Sequence, residues 1–489
     1  MCGDEDQPAD IKVIAAYKVA LGQGDRGGDM SVWENLRARM PARGNLSGRA
    51  ASASMWSLGE LGFSYGLRLG SNLVMTRLLL PEAFGLMAMV VTLHVALIML
   101  SDIGIEQSII RSPRGSEPRF LRVAWTVHIL RTNVIALVVL AAAAALWGLG
   151  PHFALPGTVF ADPSLPALIA VSSVVVILGG LESTNRSVAA REMQMRMLTI
   201  LSLSTQVVSL VFMVLISLVH PSVWSLLWGM IVGSAFRTIL SHLIFAGPRM
   251  GLAWDSEIAD ELWQFGKWII GSSAMTFVTG NADRIFLGAV LDKEHFGFYV
   301  IAIMWAQAGA SVIHRLTGQI GLPLFSNVSR ERPHDILRVF QRFNQINGAL
   351  CVAGFLALFF GGAALINLLY PATYAQSASF MPFLALVMLR EWFAPLGTLL
   401  LSQGNSKASA LSSVVEAVTT CVALWLGIKL MGIEGGLLAV ALSPLGGVIP
   451  LLLIARQMIG MDIRRSVAML FLILAIAAAV GFFLDPLLT

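Results

Sequence analysis

From about residue 50 onward the sequence is a succession of about thirteen apolar runs, each long enough, at roughly 20 residues, to cross a membrane as one helix. They centre near Gly62, Ala96, Ile135, Val175, Val208, Ile231, Ala274, Ala310, Gly354, Leu386, Val418, Val440 and Ile473. Lipid offers backbone N–H and C=O groups no partner, so a spanning segment must be an α-helix or part of a closed β-barrel. Barrel strands alternate apolar and polar residues with period two, and these runs do not. The chain reads as an all-α polytopic membrane protein. Its composition agrees: 56% of residues are hydrophobic and only 13% charged, far from the balance of a soluble domain.

Charge between the runs sets the orientation, because short loops rich in Lys and Arg stay in the cytoplasm. Basic connections carry Arg111, Arg114, Arg119 and Arg122, then Arg186, Arg191 and Arg196, then Arg249 and Lys267. Later ones carry Arg330, Arg332, Arg338 and Arg342, then Lys407, then Arg456, Arg464 and Arg465. The connections between them, such as PHFALPGTVFADPSLP and YPATYAQS, carry almost no positive charge. With Arg37, Arg39, Arg43 and Arg49 before the first run, the N-terminus is expected in the cytoplasm. These loops account for a sequence pI near 9.1 without a nucleic-acid partner.

Residues 1–48 are polar and rich in Gly and Asp, without the apolar core of a signal peptide. They read as a disordered or amphipathic cytoplasmic leader, with SVWENLRARM suited to a short helix on the membrane surface and Met30 an alternative start. The three cysteines, Cys2, Cys351 and Cys421, give neither a disulfide framework nor metal-ligand spacing.

An internal repeat organises the rest. LLLPEAFGLMAM, from Leu78, aligns with VLDKEHFGFYVI, from Val290, so that Glu82, Phe84 and Gly85 fall on Glu294, Phe296 and Gly297 at one constant offset. Each copy joins the first run of a half to its second. Two six-helix halves that each begin and end on the same side can be related only by an axis along the membrane normal, an arrangement that places a substrate cavity between them. The expected organisation is a leader over 1–48, an N-terminal half over 49–250, a C-terminal half over 251–460 and an additional helix over 461–489.

The stretches MWSLGELGFSYGLRLGSNLVMTRLLLPEAFGLMAM, SDIGIEQSIIRS and NADRIFLGAVLDKEHFGFYVIA resemble the polysaccharide transporter (Wzx-like) branch of the MOP flippase superfamily. The resemblance runs from about Ala50 to about Met458, and its most specific pieces are Arg77 to Gly85, Ser101 to Gly104 and Asn281 to Gly297. It implies a carrier without a cofactor in the bacterial inner membrane. Such a carrier moves an undecaprenyl-diphosphate-linked oligosaccharide to the outer leaflet for O-antigen, capsule or exopolysaccharide assembly, with membrane lipid and other glycan-assembly proteins as candidate partners. One departure is visible: many relatives have fourteen helices, whereas this sequence shows a single run after the twelfth, so a lipid groove built on two C-terminal helices is expected to be incomplete here.

Such a substrate needs a polar path, because each sugar hydroxyl left unpaired in hydrocarbon costs about 2–7 kcal/mol. Charged residues inside spans are themselves costly and therefore candidates for function. Arg68, Arg237 and Arg390 fall near the middle of their runs and are expected on the cavity wall as contacts for diphosphate or sugar, with Arg284 as a further cavity cation. Asp283, adjacent to Arg284, points to another helix face and is expected to pair with a neighbouring helix. Asp102 and Arg131 lie at similar depth on antiparallel runs and are expected to pair. Asp102, His128 and Glu416 are candidates for coupling transport to an ion, Glu416 standing alone in its run.

Two other classes compete. A MATE-like exporter of small cations would want an acidic cavity, whereas here arginines are expected on the cavity wall. A membrane enzyme of glycan polymerisation or ligation would want a large outer loop, and the outer loops here are short.

Overall fold

The computed structural model describes residues 46–153 and 155–484. The amphipathic stretch from Ser31, the alternative start at Met30 and the C-terminal DPLLT lie outside the described residues. The described residues are helices joined by short turns, with one isolated β-bridge, between Thr158 and Asp292. In the first half of the chain the helices are α1 (Leu46–Met75), α2 (Pro81–Leu100), α3 (Ile105–Arg111), α4 (Pro118–Phe153), α5 (Leu165–Gly180), α6 (Asn185–Arg191), α7 (Met195–Val219) and α8 (Val223–Ile244). The second half contains α9 (Ser256–Val290), α10 (Lys293–Leu316), α11 (Leu322–Glu331), α12 (Ile336–Leu369), α13 (Ser377–Arg390), α14 (Ala394–Ser402), α15 (Ser406–Leu442), α16 (Val448–Ile459) and α17 (Arg464–Leu484).

Local chemistry sets many of these boundaries. Pro81 opens α2, where its missing N–H costs nothing. Asp255, Asp292 and Asn405 cap α9, α10 and α15 by accepting from backbone N–H groups of the first turn. Gly460, in the left-handed conformation, ends α16. Pro323 falls just after a π-helical stretch, Thr317–Gly321, where α10 passes into α11.

Among the described residues, nine helices or helix runs are long and apolar enough to cross a membrane, or ten if the bent pair α5 and α6 forms one span. The expected figure of about thirteen is not reproduced by this measure, for two physical reasons. First, Ser406–Ile459 counts as one run of 54 residues, which straight would extend about 80 Å at 1.5 Å per residue, against about 30 Å of hydrocarbon. It is instead a hairpin. Gly432 (φ 64°) breaks α15, Gly427 and Gly435 touch across the turn, and the Thr419 and Ser412 hydroxyls donate to the Ser443 and Gly447 carbonyls. Second, α1 and α9 are long but carry charged residues along their length, Glu60 and Arg68 on α1 and Lys267, Asp283 and Arg284 on α9.

The two copies of the repeat meet each other. A methyl group on Gly85 would lie 2.7 Å from the Lys293 carbonyl oxygen, and one on Gly297 would strike the Pro81 carbonyl. Pro81 and Lys293 are equivalent positions, as are Gly85 and Gly297, so each glycine packs on the partner of the other. That reciprocity is the signature of a two-fold relation, and it requires residues without Cβ at the crossing of α2 and α10.

This end of the bundle is further tied together. Lys293 Nζ lies 2.9 Å from Glu82 and 3.3 Å from Asp162, Tyr374 donates to the Leu79 carbonyl, and Tyr370 donates to Asn72. At the opposite end, which holds the basic connections, α3 and the start of α4 are joined to the start of α9 by Arg114–Glu257 and Arg119–Asp255 ion pairs and by Ser112 donating to Glu261.

Candidate functional site

Three chambers share walls between the first eight helices and the rest. One, about 550 Å³, is the deepest as counted from the basic end, because of the three it alone is lined by Asn72, Met75 and Phe84 near the Lys293 end; Tyr65, Arg68, Arg284, Gln307 and Ser311 join them among apolar side chains that include Met87, Met213, Met230 and Met304. A second, about 600 Å³, extends among α10, α13, α15 and α16 and holds His314, Arg315, Arg390, Glu391 and Glu416. The third, about 420 Å³, is bounded by Glu60, Ser64, Tyr65, Arg68, Gln206 and Arg315. His314 and Arg315 are exposed, toward the basic end, while the Lys293 end is closed over the deepest chamber.

The helical period explains the lining. Gln307, Ser311 and Arg315 recur every four residues and so share one face of α10. Tyr65, Arg68 and Asn72 share the facing side of α1. The low apolarity of α1 and α9 has the same origin, since each puts polar side chains into a wet interior rather than into lipid.

The structure distributes the expected site residues over three places. Arg68 and Arg284 reach the deepest chamber from opposite halves. Arg284 Nη1 donates to Asn281 Oδ1 at 3.1 Å, one turn earlier on α9. Asp283, next in sequence, is buried on another face and accepts from the Tyr299 hydroxyl of α10.

Arg390 lies in the second chamber, with Nε 3.3 Å from Glu391 Oε1, and Glu391 also stands 3.5 Å from His314. Glu416, alone in its own apolar run, lines the same chamber, where His314 and Arg315 of α10, Arg390 at the end of α13 and Glu391 just after it converge. Its apolar sequence neighbours concealed this, because those partners are remote in sequence.

Arg237 is not among the residues lining the three chambers. Its Nε lies 3.1 Å from Glu182, which also binds Arg186, and Arg186 reaches Glu106 at 2.6 Å. Asp102, His128 and Arg131 adjoin this cluster around a space of about 170 Å³, with Arg131 Nη1 3.6 Å from Asp102. Mid-span depth alone could not separate a cation facing a cavity from one facing a carboxylate on the next helix.

Sequence reasoning passed over Tyr65, Gln307 and Ser311, although the four-residue spacing that sets Gln307 and Ser311 on one face with Arg315 was there to read. GFSYG, Gly62 to Gly66, has the glycine–serine–glycine spacing of a nucleophile elbow, but that device needs a strand-to-helix turn. Here it lies inside α1, and the Ser64 hydroxyl accepts from Gln206. Among the described residues no group of His, Cys, Asp and Glu is arranged to hold a metal ion.

Outside the bundle core, Asp162 sits in the connection between α4 and α5. Burial pushes its carboxyl up, but two hydrogen bonds from Ser164 and the Lys293 ammonium more than offset this and hold it below the ordinary carboxylate value of 3.8.

Residues 74–379 match the family described as polysaccharide biosynthesis protein. The lipopolysaccharide biosynthesis protein WzxC of Escherichia coli (strain K12) is 22% identical over 439 residues, covering 88% of this chain and 85% of that one. The succinoglycan biosynthesis transport protein ExoT of Rhizobium meliloti (strain 1021) is 22% identical over 281 residues, 57% of this chain and 54% of that one. Among solved structures, lipid II flippase MurJ in an inward closed conformation aligns with a TM-score of 0.63 at 11% identity, over 88% of this chain and 97% of that one. A multidrug resistance MATE family transporter of the MOP superfamily, inward-facing, aligns at 0.62 with 11% identity, over 80% and 94%. The structural likeness is one of fold, the family match one of sequence, and together they make this chain a member of the polysaccharide biosynthesis protein family built on the fold of the MOP superfamily.

Proposed function

We propose that the protein is a flippase that carries undecaprenyl-diphosphate-linked oligosaccharides across the bacterial inner membrane by alternating access, with its N-terminus in the cytoplasm. The observation that supports this reading most is the placement of Arg68 and Arg284, one from each half, on a single chamber that is closed at the Lys293 end. A guanidinium matches diphosphate oxygens two at a time, and each such charge-assisted bond is about twice as strong as a neutral one. A mainly apolar wall around two cations suits a ligand whose charge is compact and whose remainder is amphipathic, and flexible Met side chains adapt to varied shapes. Arg390 and Arg315 line the adjoining space and are proposed as further contacts along the path. The Asp102, His128 and Arg131 group and Glu416 are proposed as coupling or structural elements. A chamber selective for small organic cations would instead present carboxylates, and the deepest chamber has none in its described lining.

The test is mass spectrometry of polyprenyl-linked glycans in cells depleted of the protein, with Arg68→Ala and Arg284→Ala rescues beside wild type. Complete lipid-linked repeat units should accumulate on depletion, and both variants should fail to clear them at normal expression. An unchanged lipid pool together with sensitivity to cationic dyes would replace this reading with a drug exporter.

A further inference from the structure

Tyr65 is the side chain shared by all three chambers. Its hydroxyl lies 2.7 Å from the Ser311 hydroxyl and donates to it, a bond between α1 and α10 that spans 246 residues of sequence. Ser311 lines the deepest chamber and the second, while Arg68, three residues after Tyr65, lines the deepest and the third. On α10, Arg315 lies one turn from Ser311 toward the exposed end, and Gln307 one turn toward the closed end. The bond therefore crosses the cavity at its waist, with Arg315 and Glu60 on the outer side, Arg284 on the inner, and Arg68 lining both. On the α2 and α9 side no such crossing is needed, because Gly266 packs directly on Ile103 and Gly288 on Met89.

We infer that Tyr65 and Ser311 form a bar that the diphosphate headgroup must part to pass from Arg315 to Arg284, with Arg68 reaching both sides of it, and that the Tyr65 hydroxyl then donates to the headgroup. This deepens the flippase reading and rests on it. The exchange balances in hydrogen bonds: one neutral hydroxyl–hydroxyl bond is broken, and the Tyr65 hydroxyl is freed to donate to a phosphate oxygen, an ionised acceptor that makes the new bond stronger, while the Ser311 hydroxyl keeps donating to the Ala308 carbonyl of its own helix. A ligand without an anionic headgroup would part the bar with no such return, so the pair selects for the headgroup and against neutral lipids. The same exchange makes the closed waist the resting state and the open waist a state coupled to occupancy.

The test uses full-length protein in nanodiscs, with Cys2, Cys351 and Cys421 changed to Ala and Ser71→Cys as the sole thiol, facing the deepest chamber. A membrane-impermeant, anionic methanethiosulfonate reports access to that thiol. Tyr65→Phe and Ser311→Ala should each speed modification roughly 3- to 10-fold, the worth of one net hydrogen bond. The double variant should be no faster than either single one, since all three remove the same bond. Ser311→Thr, which keeps the hydroxyl, should retain the slow rate, showing that the effect is not loosened packing. Unchanged rates in both single variants, or rates that multiply in the double one, would overturn the bar. Undecaprenyl diphosphate should protect the thiol in otherwise wild-type protein and more weakly in Tyr65→Phe. No protection by this lipid, with the rate changes intact, would overturn the headgroup's part and the flippase reading with it while leaving the bar in place.

Discussion

Single residues carry the reciprocity of the two halves. Gly85 and Gly297 each lie where a methyl group would meet the backbone of the other repeat, and backbone cannot move aside as a flexible side chain can. Gly297→Ala is expected to destabilise the protein by about 1–3 kcal/mol, the usual cost of overpacking a tight site, read as a lower melting temperature in detergent. No change in melting would contradict the crossing. Asp162 gives a prediction with a defined pH dependence. Because its pKa is depressed in the folded protein, its contribution is present at every pH above the ordinary value of 3.8 and is lost only as pH falls through the depressed one. Asp162→Asn should therefore cost about 1 kcal/mol equally at pH 7 and pH 5, and the gap to wild type should shrink only on stronger acidification. A gap that narrows between pH 7 and pH 5 would contradict this account of the Lys293 tether. The run Asn281, Asp283 and Arg284 was partly legible beforehand, because adjacent helical residues cannot share a face. Which neighbour Asp283 would find was not, since the Tyr299 hydroxyl belongs to another helix and no spacing rule connects them.

At the scale of helices, apolar length identified most elements, and the departures from it are informative. Helices α1 and α9 are the least apolar of the long helices, and both line the chambers. The hairpin within Ser406–Ile459 hid from length alone but not from its Gly-rich turn, where Gly432 takes a conformation that L side chains rarely adopt. Mid-span arginines, by contrast, looked alike in sequence and separate only in three dimensions. Arg237→Ala would leave the Glu182 carboxylate, only 14% exposed, with one partner instead of two, and should lower stability by about 1–3 kcal/mol. Arg68→Ala, which makes no ion pair in the structure's described contacts and faces open space, should leave melting within about 0.5 kcal/mol of wild type while abolishing glycan lipid clearance. Thermal melting of the two purified variants beside the cell assay separates the roles. A stable but inactive Arg237→Ala protein would put that residue back on the substrate path.

For the whole molecule, the decisive feature is the asymmetry between the two ends. Both ends carry ion pairs across the halves, but the end with Pro81 and Lys293 adds tyrosine hydroxyls and crossed glycines, whereas the chambers reach exposed arginine and histidine toward the basic end. The all-helical class, the repeat and the existence of a cavity between halves could be read from hydropathy and the Glu-x-Phe-Gly motif, because these depend on local period and length. The composition of the cavity wall could not, because it depends on how two remote helices rotate about their own axes. In the proposed alternating-access cycle the Lys293 end parts when the basic end closes, and a substrate bound between Arg68 and Arg284 is proposed to couple the two. The most direct test is translocation by purified protein in proteoliposomes, following a fluorescent undecaprenyl-diphosphate oligosaccharide by an impermeant quencher. The account predicts that wild type moves the lipid between leaflets, and that Arg68→Ala and Arg284→Ala vesicles stay at the level of protein-free ones. Equal translocation by wild type and both variants, or none above protein-free vesicles in any of them, would contradict it.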